Sequence, residues 1–165
     1  MASAHLVSVD EYLHSTFEVD AEYVEGRIVP RPIPQKDHSK VQTWLVRNLY
    51  PIAHPQGFEV WVEQRIRTKV SPDRYRIPDL CLTPGEPDEQ VFTDPPFLCI
   101  EILSPEDAAL DVREKIREYL NCGVAWVWII DPSTLSGEIH SDDSIVRVTD
   151  GTFRAGDITL DLRRM

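Results

Sequence analysis

FLCIEILSP, residues 97–105, places a single glutamate, Glu101, inside a continuous apolar run. A run of this length without polar alternation predicts a β-strand that is buried on both faces of a sheet. A buried carboxylate costs several kcal/mol unless a cation compensates its charge. Glu101 is therefore expected either to form a permanent internal ion pair or to hold a cation that binds and leaves.

A second apolar run, GVAWVWIIDP at residues 123–132, predicts another buried strand. The segment between the two runs, residues 104–123, predicts a helix with Ser104 as its N-cap, Pro105 in its first turn and Gly123 beyond its end. Because a helix between two buried strands is typical of a crossover connection, the two strands are expected to be parallel and central in a mixed sheet.

The N-terminal part of the chain predicts further helices and a hairpin. The segment from Ser8 has the Ser-x-x-Glu form of a capping box and predicts a short helix. A hairpin is expected to turn at Glu25-Gly26. An amphipathic helix with Asp37 as its N-cap is predicted over residues 37–54.

Strands account for most of the remaining sequence. Continuous strands are predicted over residues 57–70 and 75–84, and an antiparallel set over residues 137–141, 144–150 and 157–162. The elements together predict an α/β (α+β) fold with a mixed central sheet flanked by helices and a small C-terminal antiparallel β extension. The length of 165 residues predicts a single domain.

The composition argues against some classes of protein. The formal net charge of -11 disfavours a protein that coats nucleic acid through its overall field, but it is compatible with a local basic groove or a metal site. The sequence has neither the apolar length of a membrane span nor the pattern of a signal peptide. Cys81, Cys99 and Cys122 lie in apolar contexts without zinc-type spacing, which favours free thiols and a cytoplasmic location.

The helix predicted after Ser104 carries a lysine on its apolar face. At about 100° per residue, Lys115 falls in the middle of the stripe that runs from Ala108 to Cys122. Lys115 is therefore expected to point at the sheet, with Asp111 one turn before it as an ion-pair partner. A lysine that snorkels to solvent, or a buried salt bridge without further function, is the structural alternative.

Asp79 follows Pro78 directly and opens an apolar segment that is expected to neighbour the Glu101 strand. Two carboxylates on neighbouring strands, with Lys115 on the helix that covers them, predict a site for a hard cation. Mg²⁺ and Mn²⁺ prefer carboxylate and water oxygens as ligands. Such an ion can activate water and stabilise charge on a phosphoryl group, and the lysine can orient the water.

Several motifs follow one another in a characteristic order: EYVEGRIV at 22–29, His38, PDL at 78–80, IEILSP at 100–105, D-x-x-x-K-x-x-x-Y at 111–119 and GVAWVWIIDP at 123–132. Their order and spacing resemble those of the Uma2 family, a bacterial group of restriction-endonuclease-like proteins within the PD-(D/E)xK nuclease superfamily. The resemblance runs from about Val9 to beyond Pro132 and implies a restriction-endonuclease-like fold for most of the chain.

The resemblance implies a metal-dependent endonuclease that hydrolyses phosphodiester bonds of nucleic acid, with DNA as the expected target. Asp79 and Glu101 match the carboxylates that ligate Mg²⁺ or Mn²⁺, and Glu22 matches an early acidic position that completes the metal site. The superfamily usually has a lysine two residues after the glutamate, where this chain has Leu103. Lys115 matches the helical position to which the family moves that lysine.

Two further residues are candidates for the site. His38 matches a recurrent histidine of the family and could shuttle protons, orient a phosphate or only cap its helix. Gln64 is expected to face the covered side of its strand and to help order water. A basic stretch is either a solvated sheet edge or a strip that contacts phosphates. It consists of Arg65, Arg67, Lys69, Arg74 and Arg76.

Two other classes of function remain open. The chain could be a module that binds nucleic acid or protein and retains the nuclease fold without catalysis. In that case its binding is expected not to depend on metal. The chain could instead be a structural or dimeric protein whose buried charges only specify its conformation. In that case removal of Lys115 is expected to unfold the chain, and metal is expected to have no effect. An exposed apolar edge around residues 124–130 makes a homodimer the expected assembly in every case.

Overall fold

The computed structural model describes residues 6–165. The helices and strands in this range are α1 (Val9–His14), β1 (Ala21–Val24), β2 (Arg27–Pro30), α2 (Lys36–Ala53), β3 (Phe58–Val62), β4 (Ile66–Val70), β5 (Asp73–Arg76), β6 (Leu80–Pro84), β7 (Leu98–Ile102), α3 (Ala109–Cys122), β8 (Trp126–Asp131), β9 (Ser136–His140), β10 (Ile145–Val148), β11 (Thr152–Ala155) and β12 (Ile158–Asp161). Of the helices between residues 6 and 165, none combines the length and the apolar surface that a membrane crossing requires.

The central sheet has the strand order β10-β9-β8-β7-β6-β3. β7 and β8 are parallel neighbours in its middle, with Glu101 opposite Ile129, and α3 connects them. The predicted fold class, a mixed central sheet flanked by helices, is therefore confirmed. The expectation of an exposed apolar edge at residues 124–130 is wrong, because β8 pairs with β7 on one side and β9 on the other. The homodimer stays a prediction that has lost this basis.

A second sheet, with the order β2-β1-β5-β4, takes up parts of the strands that were expected to be continuous. The run over residues 57–70 breaks near Glu63, whose φ of 51° turns the backbone, and the run over 75–84 breaks at 77–79. The prediction of two continuous strands is wrong, because each run is divided between two sheets. Glu63 N donates a hydrogen bond to Asp79 O at 3.1 Å, so both breaks lie side by side and place Asp79 where the sheets meet.

The alternation of side chains along β7 decides which helix Glu101 faces. Leu98, Ile100 and Ile102 pack in the apolar cluster that contains the buried face of α2. Cys99 packs in a different cluster, which contains the buried residues of α3. Because successive side chains of a strand point to opposite faces, Glu101 shares the face of Cys99. Glu101 therefore faces α3, the helix that carries Lys115.

The N-termini of the two long helices differ from the predictions. Gln35, not Asp37, is the N-cap of α2. α3 begins at Ala109 instead of directly after Ser104. Ser104 and Asp107 close a turn of their own, since Ser104 N donates to Asp107 Oδ2 at 2.7 Å and Asp107 N donates to Ser104 O at 3.0 Å. This turn occupies the residues that were expected to start the helix.

Other predicted turns and caps are confirmed. The Ser8 side chain accepts a hydrogen bond from Glu11 N at 3.1 Å and begins α1. The first hairpin turns at Glu25-Gly26, where Gly26 has a φ of 90°. α3 ends at Cys122 and is capped by Gly123, whose φ of 106° is a left-handed conformation that favours glycine.

The C-terminal strands divide between the central sheet and a hairpin. β9 and β10 extend the central sheet beyond β8, whereas β11 and β12 pair with each other. The predicted C-terminal antiparallel extension is thus confirmed for this hairpin, and β11 adds a strand that the sequence did not predict. Phe153 and Leu160 are buried in the α2 cluster, and Trp128 Nε1 donates to Arg154 O at 2.9 Å. These contacts hold the hairpin against β8.

Candidate active site

Charged side chains from separate parts of the chain line one cavity of about 240 Å³. Asp79 comes from the break between β5 and β6, Glu101 from β7, Lys115 from α3 and His38 from the first turn of α2. The fold therefore brings four of the predicted site residues together. Arg31 and Glu63 also line the cavity, and the sequence analysis named neither as a site residue.

Asp79 is 3% exposed, accepts two hydrogen bonds and has His38 close to one of its oxygens. Its Oδ2 accepts a hydrogen bond from Ile102 N at 2.7 Å, which fixes the carboxylate to β7. Its Oδ1 accepts a hydrogen bond from Arg31 Nη2 at 2.6 Å and lies 3.2 Å from His38 Nε2. Oδ2 is thus bound to the sheet, and Oδ1 is contacted by side chains that line the cavity.

Glu101 has one strong partner and one weaker one. Its Oε1 accepts a hydrogen bond from Tyr119 Oη at 2.5 Å, and its Oε2 lies 3.5 Å from Lys115 Nζ. Burial, together with repulsion from Asp79 and Glu22, raises the pKa of Glu101 to about 7, although Lys115 acts to lower it. Burial is the largest of these effects, and the positive charge of Lys115 does not offset it.

Lys115 faces the sheet, as its helical position predicts, and its side chain is 17% exposed. Its Nζ lies 3.0 Å from Glu22 Oε1 and 3.5 Å from Glu101 Oε2. Burial acts to lower the pKa of Lys115, but the two glutamates outweigh burial and raise it. Lys115 is therefore a cation at neutral pH. The expectation that Asp111 pairs with it is wrong, because Asp111 is exposed and Glu22 and Glu101 take its place.

Glu22 lies behind Lys115 and is 2% exposed. Its Oε1 lies 3.0 Å from Lys115 Nζ and accepts a hydrogen bond from Ile77 N, and its Oε2 accepts one from Arg76 at 2.9 Å. Both oxygens are therefore engaged by protein donors. The metal-ligand role of Glu22 stays a prediction, whereas its contacts favour a role in holding Lys115.

A buried ion-pair network fixes the helix that carries Lys115. Glu118, one turn after Lys115, accepts hydrogen bonds from Arg76 Nε at 2.8 Å, from Thr68 Oγ1 at 3.0 Å and from Arg74. These bonds attach α3 to β4 and β5 and lower the pKa of Glu118 against the opposing effect of burial. Arg74 and Arg76 face this network, so they do not belong to an exposed phosphate-contacting strip.

His38 is buried, and its Nε2 lies 3.2 Å from Asp79 Oδ1. Burial acts to lower its pKa, but the hydrogen bond to Asp79 and the charge of Asp79 raise it. Among residues 6–165, no side chain or backbone group pairs with His38 Nδ1, which is also buried. Gln64 is not part of this cavity: its Nε2 donates to Arg65 O and Gln90 O at 3.0 and 2.9 Å.

The donor set fits a small divalent ion. Within residues 6–165, no group of three or more His, Cys, Asp or Glu side chains is arranged to hold a metal. Mg²⁺, however, is commonly bound by one or two carboxylates, with water and substrate phosphate completing its six ligands. Asp79 and Glu101 line the same cavity, and Arg31 and Lys115 already place positive charge against their oxygens. Two carboxylates in a cavity that attracts cations fit Mg²⁺ or Mn²⁺.

A protein family and a solved structure are each similar to almost the whole chain. The family described as "Uma2: Putative restriction endonuclease" matches residues 9–160. A crystal structure of "a putative nuclease belonging to DUF820" from Anabaena variabilis is similar over 95% of this chain and 96% of that chain, with a TM-score of 0.80 and 25% identity. A search of curated proteins found no significant match. The family match includes the elements that carry Asp79, Glu101 and Lys115.

Proposed function

Because the chain belongs to the Uma2 family, described as putative restriction endonucleases, we propose that it is a metal-dependent nuclease that hydrolyses phosphodiester bonds of nucleic acid, with DNA as the expected target. The observation that supports this function is the convergence of Asp79, Glu101, Lys115 and His38 on one cavity. Buried titratable groups with shifted pKa values cluster at catalytic sites more often than elsewhere.

Asp79 and Glu101 are the proposed ligands of Mg²⁺ or Mn²⁺. When bound, such an ion supplies a Lewis acid that stabilises charge on a phosphoryl group and lowers the pKa of water. Ile102 N holds Asp79 through Oδ2, and Tyr119 holds Glu101 through Oε1. These two hydrogen bonds orient the carboxylates before substrate arrives, which lowers the cost of reorganisation during the reaction.

Lys115 supplies the fixed positive charge of the site. Because its pKa is raised, it does not act as the general base at neutral pH. It can donate hydrogen bonds to the attacking water or to the phosphoryl oxygens on which negative charge builds. Glu22 holds the ammonium group at 3.0 Å and thereby keeps it in the cavity.

His38 is the proposed residue for proton movement. Its Nε2 lies 3.2 Å from Asp79 Oδ1 at the cavity, whereas its Nδ1 is buried without a partner among residues 6–165. Nε2 is therefore the nitrogen through which the imidazole can exchange a proton with a group in the cavity. An imidazole placed in this way can take a proton from water or give one to the leaving oxygen.

A second candidate function is a nucleic-acid-binding module without catalysis. It is favoured by the contacts of Asp79, whose cavity-facing oxygen is already paired with Arg31 at 2.6 Å. Such a module binds nucleic acid with the same affinity in the presence of Mg²⁺ and in the presence of a chelator. The two candidates are therefore separated by metal dependence.

Cleavage of a panel of DNA and RNA substrates, with Mg²⁺ or Mn²⁺ and with a chelator, tests the proposal. Asp79→Asn and Glu101→Gln are expected to lose metal-dependent cleavage and to keep cooperative unfolding. Glu86→Gln is the matched control, since Glu86 is an exposed carboxylate outside the cavity. Cleavage at the wild-type rate by both cavity variants, or cleavage that persists in the chelator, contradicts the proposal.

A further inference from the structure

The guanidinium of Arg31 lies next to Asp79, at the position that a metal ion bound to this carboxylate would occupy. Its Nη2 lies 2.6 Å from Asp79 Oδ1, and its Nη1 lies 3.8 Å from Glu63 Oε1. The Arg31 side chain is 13% exposed, and that of Asp79 is 4% exposed. The guanidinium is therefore largely removed from solvent and donates a charge-assisted hydrogen bond to a buried carboxylate, which is stronger than a hydrogen bond between neutral groups.

The two oxygens of Asp79 are not equivalent for an incoming cation. Oδ2 is bonded to Ile102 N of β7, and a cation that took this oxygen would leave a backbone donor of the central sheet without its partner. Oδ1 is contacted by side chains alone: it accepts a hydrogen bond from Arg31 and lies 3.2 Å from His38 Nε2. A divalent ion that binds Asp79 therefore competes with Arg31 for Oδ1.

The Arg31 side chain can also move away from Asp79 without disturbing the fold. It follows the end of β2 and lies in the segment 31–35, which has no regular secondary structure and whose residues 32–35 are exposed. Movement of the Arg31 side chain therefore requires no strand or helix to break. Lys115 differs from it, because it projects from α3 and is held by both Glu22 and Glu101.

We propose that Arg31 is an internal counter-cation of the reaction centre, whose guanidinium holds Asp79 Oδ1 until a divalent metal ion displaces it. This inference rests on the proposed function only in taking Asp79 as a metal ligand. Arg31 then sets the metal affinity of the site, because the Arg31–Asp79 ion pair is lost whenever the metal binds. A hydrogen bond between two charged groups is strong enough for its loss to weaken metal binding by about tenfold or more.

Titration with Mn²⁺ alone, followed by the electron paramagnetic resonance signal of free Mn²⁺, tests this inference without reference to activity. Arg31→Gln is expected to bind one Mn²⁺ about tenfold more tightly than the wild type. Arg27→Gln is the matched control, because Arg27 is an exposed arginine on the same hairpin and its loss changes the net charge equally. The affinity of Arg27→Gln is expected to remain at the wild-type value.

Equal or weaker Mn²⁺ affinity in Arg31→Gln than in Arg27→Gln overturns the inference. If Arg31→Gln does not fold, Arg31→Lys replaces it, with Arg27→Lys as the control of equal charge. Tighter Mn²⁺ binding is again expected in the Arg31 variant, because lysine lacks the planar guanidinium that pairs with Asp79. A Mn²⁺ site that Asp79→Asn abolishes, with no gain in the Arg31 variant, overturns this inference and leaves the proposed function intact. No Mn²⁺ site in wild type or variants overturns both.

Discussion

Glu101 on β7 and Lys115 on α3 face each other across the cavity, with 3.5 Å between Oε2 and Nζ. Each has a second partner that is closer: Tyr119 for Glu101 at 2.5 Å, and Glu22 for Lys115 at 3.0 Å. The pair is therefore oriented by its neighbours and is not closed as a tight salt bridge. A water or a phosphoryl oxygen that lies beside the pair, and not between its two atoms, can therefore contact both groups.

Replacement of Lys115 by methionine is expected to lower cleavage by about 10²- to 10³-fold, because a fixed donor to developing negative charge is lost. It is also expected to lower the free energy of unfolding by about 3–5 kcal/mol, since it leaves buried carboxylates without their cation. Cleavage assays and urea denaturation measure the two effects. The double variant Glu22→Gln/Lys115→Met is expected to regain part of the stability, because Glu101 still lacks its cation, and none of the cleavage. Recovery of cleavage would assign Lys115 a structural role alone.

Glu118 is expected to make stability depend on pH in the acidic range. Its folded-state pKa is lowered, so its contribution is fully present above the unfolded value of about 4.3 and is lost as the pH falls through the folded value. Glu118→Gln should therefore lower the unfolding free energy at pH 7 by about 3 kcal/mol and flatten the acid limb of the stability curve. Urea denaturation from pH 3 to 7 tests this expectation, with Glu86→Gln as the exposed control. An acid limb as steep as that of wild type would exclude Glu118 as its source.

Tyr119→Phe removes the hydroxyl that donates to Glu101 Oε1 and keeps the ring in the core. The free energy of unfolding is expected to fall by about 1–3 kcal/mol, because the buried carboxylate oxygen loses its hydrogen bond. Mn²⁺ affinity is expected to fall as well, since Glu101 is no longer oriented. Tyr50→Phe, at an exposed tyrosine on α2, controls for the loss of a hydroxyl. Equal Mn²⁺ affinity in both variants would show that Tyr119 does not orient Glu101.

The free thiols give a test of the central sheet. Cys81 and Cys99 are direct partners across β6 and β7 and are buried, and burial raises the pKa of Cys81 to about 12. We expect neither to react with a thiol reagent at pH 8 in the native state, because the thiolate is the reactive form. All three cysteines should react after unfolding, and Cys122→Ser should show no fast phase. A fast native phase in Cys122→Ser would contradict the burial of the sheet.

The centre of the fold could be predicted from the sequence because its signals are local and mutually consistent. Two continuous apolar runs joined by an amphipathic segment specify parallel buried strands and a crossover helix. The same helical periodicity places Lys115 towards the sheet, and strand alternation places Glu101 on the face that α3 covers. These positions follow from period and connection rules, which do not depend on contacts far along the chain.

The partners of the buried charges could not be predicted in the same way. Arg31 and Asp79 are 48 residues apart, and no local pattern selects that arginine from the others in the chain. The division of residues 57–70 and 75–84 between two sheets depends on the φ of Glu63 and on Pro78, which has no N–H to donate to a strand partner. Sheet edges depend on which strands pair, so the interior position of β8 was also missed.

The single domain and the cytoplasmic location stay predictions.

Thermal unfolding in increasing Mn²⁺, for wild type, Glu101→Gln and Glu86→Gln, tests most directly whether the cavity is a metal site. A metal at about 100 times its dissociation constant stabilises the native state by about 2.7 kcal/mol, which raises the midpoint by several degrees. Wild type and Glu86→Gln are expected to show this rise and Glu101→Gln to show none. An equal rise in all three proteins would mean that Mn²⁺ binds elsewhere on the acidic surface. No rise in wild type would mean that the cavity holds no metal, and either result would contradict the account.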